Sequence, residues 1–97
     1  MRLHVKMEVY DSITSDEQVA RTRKRFAESW KKMQDSGKVL TSGIFADLRG
    51  GYMVVDVDTA EELWALPMHG ILDAIKMEVH PVMDADKFMT MFKDIGE

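Results

Sequence analysis

The chain has 97 residues, of which 45% are apolar and 31% are charged, and its formal net charge is −4. Residues 1–97 suffice for one domain and are too few for two, and a domain this small leaves enough open surface for a second subunit to cover one face. The acidic balance argues against nucleic acid or an anionic membrane as the main partner, and the absence of cysteine excludes disulfides and thiolate metal sites.

The first predicted element is a strand over residues 2–10. Its stretch "LHVKMEV" alternates strictly, so one side carries an apolar row and the other carries His4, Lys6 and Glu8. The apolar row is typical of one wall of a core. A strand that starts at residue 2 leaves no room for a signal peptide, and no apolar run is long enough to span a bilayer. We therefore expect a cytoplasmic protein.

The second predicted element is a helix that begins near residue 16. Ser15 and Gln18 have the spacing of a capping box, in which each side chain bonds the backbone N–H of the other residue. Gly37 is a natural stop, because glycine readily adopts the conformation that ends a helix. Apolar residues recur at helical spacing between these limits and predict a buried stripe, formed by Val19, Phe26, Trp30 and Met33.

A β-hairpin is predicted next. Residues 39–48 form its first strand, and we expect Gly43 to mark a β-bulge there. Gly50 and Gly51 predict the turn, because glycine accepts a positive φ angle without steric cost. Residues 52–57 form the returning strand, with alternate apolar side chains on one face.

The last third of the chain predicts a short helix, a strand and a further helix. Thr59 and Glu62 fit a second capping box, and the helix that they open is expected to end near Leu66. Residues 75–82 alternate as the first strand does. Residues 84–97 predict a C-terminal helical extension, because apolar residues recur there at helical spacing: Phe88, Met91, Phe92 and Ile95.

The order βαββαβ, followed by the extra C-terminal helix, predicts a ferredoxin-like α+β fold with a four-stranded antiparallel sheet. In this fold the first and fourth strands are neighbours, and the helices leave one face of the sheet bare. Opposite charges attract across a strand pair and like charges repel, which favours the register that places Lys6 opposite Glu78. The other opposed pairs in this register are His4 with His80 and Glu8 with Lys76.

The resulting polar band has two interpretations. Exposed ion pairs are common and contribute little, so the band can be a solvated surface. If a second copy of the sheet covers it, the enclosed charges can have shifted pKa values and take part in chemistry. Tyr52 would also be exposed on the bare face, which favours the covered arrangement.

Several stretches resemble muconolactone isomerase and its relatives in the dimeric α+β barrel superfamily. They are "LHVKMEV" in the first strand, "GKV" after the first helix, "VDVDTAEEL" into the second helix and "MEVHPV" in the fourth strand. The resemblance covers roughly residues 1–83. It implies a homodimer or higher homo-oligomer, joined sheet to sheet, with a small-molecule pocket. It also implies a cofactor-free isomerase that shifts a proton on an unsaturated lactone acid in the catabolism of aromatic compounds.

This resemblance makes His4, Lys6 and Glu78 the candidate catalytic residues, because they fall on matching positions. A proton shift next to a carbonyl needs a base, an acid and donors for the developing enolate oxygen. Glu78 can serve as the base, Lys6 as the electrostatic stabiliser, and His4 or His80 as the proton carrier. The second strand reads "VLTSGIF" where the isomerases carry tryptophan, histidine and arginine. The resemblance therefore supports membership of the family more than it supports the same reaction.

The candidate substrate-binding residues are Tyr52, Trp64, His69 and His80. Aromatic residues at such positions are more often part of a core or an interface, and His69 stands in the loop-like stretch "LPMHGIL". The three histidines have no recognisable metal-binding spacing, although His4 opposite His80 offers two nitrogen ligands. We therefore expect neither a metal nor a cofactor.

Two other functions remain open from the sequence. One is a barrel monooxygenase that oxidises an aromatic substrate without a cofactor, which more aromatic residues around the pocket would favour. The other is a non-catalytic protein that uses the dimer for small-molecule binding or assembly. An enclosed cavity beside Lys6 and Glu78 would favour an enzyme. A pocket between the sheet and the helices would instead be lined by the apolar row and by residues 64–72.

Overall fold

The computed structural model describes residues 1–66 and 71–95. Within them the elements are, in chain order, β1 (Arg2–Val9), α1 (Asp16–Asp35), β2 (Val39–Ile44), β3 (Gly50–Asp56), α2 (Ala60–Trp64), β4 (Ile75–Val82) and α3 (Ala85–Ile95). The strands form one antiparallel sheet in the order β2-β3-β1-β4. The predicted ferredoxin-like α+β fold is therefore confirmed. None of the helices in these residues is long and apolar enough to cross a membrane.

The register between β1 and β4 is the one that the charges favour. Lys6 lies opposite Glu78, and the next pairs along the strands are Glu8 with Lys76 and His4 with His80. β1 is flanked on its other side by β3, where Lys6 lies opposite Tyr52. The predicted pairing of β1 and β4 is therefore confirmed residue by residue.

The inner face of the sheet, which the helices cover, carries the core. Leu3, Val5 and Met7 of β1 are 3%, 0% and 0% exposed, as the strict alternation of that strand requires. Met53 and Val55 of β3 are equally buried. Burial of such side chains is the main favourable term in folding, so this face supplies most of the stability.

α1 covers the inner face through the predicted stripe. The Ser15 hydroxyl accepts a hydrogen bond from the Gln18 backbone N–H at 3.1 Å, and the Gln18 side chain accepts one from the Ser15 N–H at 3.3 Å. This confirms the capping box that opens the helix. Met33 is fully buried, whereas Phe26 and Trp30 pack against the core while remaining partly open.

The turn between β2 and β3 differs from the prediction. β2 ends at Ile44, and residues 45–49 make the turn, which a hydrogen bond from the Leu48 N–H to the Phe45 carbonyl closes at 2.9 Å. The residue with positive φ is Leu48, at 61°. The prediction that Gly50 and Gly51 form the turn is therefore wrong, because both belong to β3.

These glycines are needed for close contacts between strands. A Cβ atom at Gly50 would lie 2.0 Å from the Met7 carbonyl oxygen, and one at Gly51 would lie 2.6 Å from the Gly43 carbonyl oxygen. No side chain fits at such distances. The irregularity of β2 also lies elsewhere than predicted, since the register shifts between Val39 and Thr41 and not at Gly43.

α2 begins as predicted, with a modified cap. The Thr59 hydroxyl accepts a hydrogen bond from the Glu62 N–H at 3.3 Å. The Glu62 carboxylate accepts one from the Asp58 N–H at 2.7 Å, one residue before the position that a capping box uses. The helix ends at Trp64, slightly before Leu66.

α3 follows β4 closely and extends away from the sheet. Its residues 85–93 are all exposed. The chain measures 58 × 24 × 19 Å along its principal axes, and its radius of gyration is 16.1 Å, whereas a compact domain of this length has about 12–13 Å. The predicted C-terminal helix is therefore present, but the side chains of residues 85–93 do not pack against the core.

Candidate functional site

The outer face of the sheet, opposite the helices, carries the predicted polar band. The band consists of side chains from three neighbouring strands, which alternate with the core residues of the inner face: His4, Lys6, Glu8, Tyr52, Lys76, Glu78 and His80. Because the strands are aligned by their backbone hydrogen bonds, these groups are held in fixed rows. No described element of the chain covers them.

The closest ion pair of the band lies within one strand. The Lys6 Nζ atom is 2.7 Å from Glu8 Oε1, although the opposed residue across the strands is Glu78. The hydrogen bond and charge of Glu8 raise the pKa of Lys6, with a smaller contribution from Glu78. The same contact lowers the pKa of Glu8. Lys6 is therefore a stable cation, and Glu78 remains available to another partner.

That partner is His80. Its Nε2 atom is 3.3 Å from Glu78 Oε1, and both residues project from the outer side of β4 at a spacing of two. A carboxylate, an imidazole and an ammonium group thus occupy adjacent positions on one surface. Such a set provides a base, a proton carrier and a positive charge, which are the groups that proton transfer beside a carbonyl requires.

His4 and Tyr52 form the aromatic part of the band. Their rings are stacked, with centroids 5.8 Å apart and planes inclined by 11°. The tyrosine ring lies against Gly43 of the neighbouring strand, where a Cβ atom would be 2.5 Å from the ring. Gly43 therefore makes room for Tyr52, which is a more specific role than the predicted bulge.

The other predicted binding residues are not brought to this band. Trp64 lies on α2, on the helix side of the sheet, and is 56% exposed. His69 lies outside the described residues. The structure therefore brings together five of the seven candidate residues: His4, Lys6, Tyr52, Glu78 and His80.

A second feature lies on the opposite side of the sheet. A cleft of about 400 Å³ opens between α1 and the β2–β3 hairpin, on the inner side of the sheet. Its wall from α1 includes Phe26 and Trp30, whose rings stack at 5.4 Å, and Arg23 and Lys31 supply its charged lining. The hairpin contributes two apolar side chains, Ile44 and Leu48.

The sequence contained a partial signal for this cleft. A pocket between sheet and helices was expected to be lined by the apolar row of β1 and by residues 64–72, but Val9 alone represents that row, and no described residue of 64–72 lines the cleft. Phe26 and Trp30 belong to the predicted core stripe, and they do pack against the core. Their rings are partly exposed because the hairpin leaves the cleft open beside them. A helical pattern does not specify where that hairpin lies.

The described part of the chain offers no metal site. Within residues 1–66 and 71–95, no three histidine, aspartate or glutamate side chains are grouped so that they could hold an ion. The opposed residues His4 and His80 are thus without a third ligand of this kind among the described residues.

Comparison with known proteins agrees with the architecture. The solved structures similar to this chain include the crystal structure of muconolactone isomerase, with 23% sequence identity, a TM-score of 0.60, and coverage of 87% of this chain and 90% of that one. This likeness shows a common fold. No protein among the curated ones matches the sequence. A family model described as "Domain of unknown function (DUF3303)" matches residues 1–96, and the chain therefore belongs to the DUF3303 family.

Proposed function

We propose that this protein is a cofactor-independent isomerase that shifts a proton on a small unsaturated lactone or carbonyl compound, in a homodimer whose outer sheet faces meet. The observation that carries the proposal is the position of Glu78, with Lys6 opposite it and His80 3.3 Å away. The fold shared with muconolactone isomerase supports a lactone as the first substrate to test.

The three groups have distinct roles in this reaction. The Glu78 carboxylate removes the proton next to the carbonyl, and the electron pair of the broken C–H bond moves into the conjugated system. The Lys6 ammonium group stabilises the negative charge on the enolate oxygen. A proton is then returned at the far end of the conjugated system by His80 or His4, and the carboxyl proton of Glu78 restores that histidine. The substrate and product are isomers, so no oxidant or reductant is consumed.

The ion pair of Lys6 with Glu8 is compatible with this role. An ammonium group has three N–H donors, and Glu8 occupies one at 2.7 Å. The other donors are free to bind a substrate oxygen. Glu8 also keeps Lys6 protonated, because it raises the pKa of the ammonium group.

In this proposal, enclosure by a second copy increases the interaction energy between these charges. In water, two opposite charges 4 Å apart interact by only about 1 kcal/mol, and the interaction grows several-fold when water is excluded. The side chains of Lys6 and Glu8 are 40% and 48% exposed in a single chain. A second sheet over the band would remove that solvent.

The cleft is less suited to proton transfer. The charged side chains of its described lining are the basic residues Arg23 and Lys31, and neither a carboxylate nor an imidazole is among them. The described lining therefore contains no base that could remove a carbon-bound proton. Apart from its two imidazoles, the polar band has a single aromatic ring, that of Tyr52, which favours the isomerase over the monooxygenase alternative.

Turnover of muconolactone by the purified protein tests the proposal. We expect the wild-type protein to isomerise it, Glu78→Gln to lose about 10²–10⁴-fold in kcat, and Lys6→Ala to lose about 10²–10³-fold. The matched controls Lys24→Ala and Glu28→Gln change the same residue types on the exposed side of α1 and should retain full activity. Absence of turnover in the wild type would refute this reaction, and equal turnover in all variants would remove Lys6 and Glu78 from it.

A further inference from the structure

The proposed reaction leaves two apolar surfaces unused. One is the cleft, whose hairpin residues Ile44 and Leu48 are 49% and 55% exposed. The other is the apolar face of α3, on which Phe88, Met91 and Phe92 are 47%, 53% and 53% exposed. Large apolar side chains grouped in this way normally mark an interaction surface.

The α3 of a chain cannot cover the cleft of the same chain. Val82, three residues before the start of α3, pairs with Arg2 at the beginning of β1, where Arg2 also forms an ion pair with Asp84. Val9, in the cleft wall, is at the other end of β1. Seven strand steps separate Arg2 from Val9, a distance of about 23 Å. Phe92 lies eight residues after Asp84, which is about 12 Å along a helix.

The sheet order adds a second obstacle. β4 and β2 are the two opposite edges of the sheet, and they are separated by three strand spacings, about 14 Å. α3 follows β4, while the cleft lies beside β2 and its hairpin. Taken together, the two perpendicular displacements amount to about 27 Å, which exceeds the length of about 17 Å that a helix of 11 residues spans.

We propose that the apolar face of α3 packs into the cleft of a second copy of the chain, and that the second copy returns its own α3 in the same way. Phe88 and Phe92, whose ring centroids are 4.5 Å apart, would then lie against the Phe26–Trp30 stack. A reciprocal exchange satisfies two-fold symmetry and covers both unused surfaces of both copies.

The charges of the two partners are complementary. α1, which forms one wall of the cleft, contains six basic and four acidic residues, and two of its basic residues, Arg23 and Lys31, line the cleft. Residues 84–97 contain four acidic and two basic residues. Neither Arg23 nor Lys31 has an ion-pair partner within the described part of its own chain, so both are available to a second copy.

This exchange goes beyond the proposed reaction and does not depend on it. It requires a second copy but assigns no role to Lys6 or Glu78. A protein that turns over muconolactone without exchanging α3, or one that exchanges α3 without turnover, would separate the two proposals.

Disulfide trapping tests the exchange, because the natural chain has no cysteine. The variant Ala27→Cys/Met91→Cys places one thiol in the cleft and one on the apolar face of α3. Under mild oxidation we expect a covalent dimer on a non-reducing gel. The matched control Glu28→Cys/Met91→Cys places its α1 thiol one residue later in the helix, outside the cleft lining. It should give at least 10-fold less covalent dimer.

Each of three results would overturn the proposal. The first is equal dimer formation in both variants, which would indicate random collision. The second is a monomer in which the two cysteines have formed a disulfide with each other, which would mean that α3 reaches the cleft of its own chain. A monomeric mass of the wild-type protein by light scattering at micromolar concentration would also overturn it.

Tryptophan emission provides an independent measurement. In a Trp64→Phe background, Trp30 of the cleft is the sole tryptophan. Adding Phe88→Ala/Phe92→Ala should shift its emission to longer wavelength, because the indole becomes more exposed to water. Thr90→Ala, on the polar side of α3, is the matched control and should leave the emission unchanged. An unchanged spectrum in the phenylalanine variant would contradict contact between α3 and the cleft.

Discussion

The inner and outer faces of β1 are built from alternating residues of one strand, yet they have opposite properties. Val5 and Met7 on the inner face are completely buried. Lys6 and Glu8 on the outer face form an ion pair that is nearly half exposed. The backbone positions both sets equally well, so the difference arises from what lies over each face.

The comparison teaches that stability and activity can be altered separately in this protein. Burial of apolar area on the inner face contributes about 25 cal/mol for each Å² removed from water. Exposed ion pairs such as the one on the outer face contribute little to stability. In a single chain, a substitution on the outer face should therefore have little effect on folding, whereas one on the inner face should have a large effect.

The largest effect on stability is expected from Met7→Ala on the inner face. Removing a fully buried side chain creates a cavity and should lower the free energy of unfolding by about 2–5 kcal/mol. In a single chain, Glu8→Ala, the adjacent residue on the outer face, should change it far less, because that side chain is exposed to solvent. Urea unfolding of both variants measures the difference. Similar losses would show that the outer face also carries stability, as a face already covered by a partner would.

A smaller effect is expected from Gly50→Ala, which adds one methyl group between β3 and β1. The φ angle of 154° and the 2.0 Å approach to the Met7 carbonyl make this position unsuitable for a side chain. We expect a loss of about 1–3 kcal/mol. Gly37→Ala is the control, because its positive φ of 73° is accompanied by open space, and it should cost about 1 kcal/mol. Equal losses in chemical denaturation would exclude the strand contact as the cause.

The fold was predictable because its signals are local. Alternation defines a strand and its inner face without knowledge of its neighbours, and the cap formed by Ser15 and Gln18 lies within four residues. The hairpin turn was not predictable in this way. Gly50 and Gly51 resemble a turn in sequence. Glycine is required at these positions because a side chain would clash with the backbone of Met7 and Gly43 on other strands, and such contacts leave no local pattern.

The site was predictable in part for a related reason. Charge pairing across two strands gave the correct register of β1 with β4. It did not give the closest ion pair, because Lys6 and Glu8 are neighbours on one side of the same strand and their flexible side chains meet there. The lining of the cleft was predicted wrongly, because it depends on where the hairpin lies relative to α1, which neither element encodes alone.

The smallest expected effect compares a carboxylate of the outer face with one of the helix layer as the pH falls. The pKa of Glu62 is lowered from 4.5, first by the hydrogen bond from the Asp58 N–H and then by Lys38, whose Nζ is 3.0 Å away. The pKa of Glu8 is lowered first by the side-chain hydrogen bond from Lys6, and no backbone hydrogen bond adds to this effect. A depressed pKa in the folded state means that the stabilisation is complete above about pH 4.5 and is lost as the pH falls through the lower folded value.

Glu62→Gln should therefore flatten the acid side of the stability profile more than Glu8→Gln does. The amide cannot lose a proton, so it makes no contribution that depends on pH, and the backbone hydrogen bond that fixes Glu62 is absent at Glu8. Urea midpoints of the wild type and both variants, measured between about pH 6 and pH 3, provide the comparison. If Glu8→Gln flattened the profile more, the outer-face pair would have to be better shielded from water than it is in a single chain, and this is the condition that a second sheet over the polar band would create.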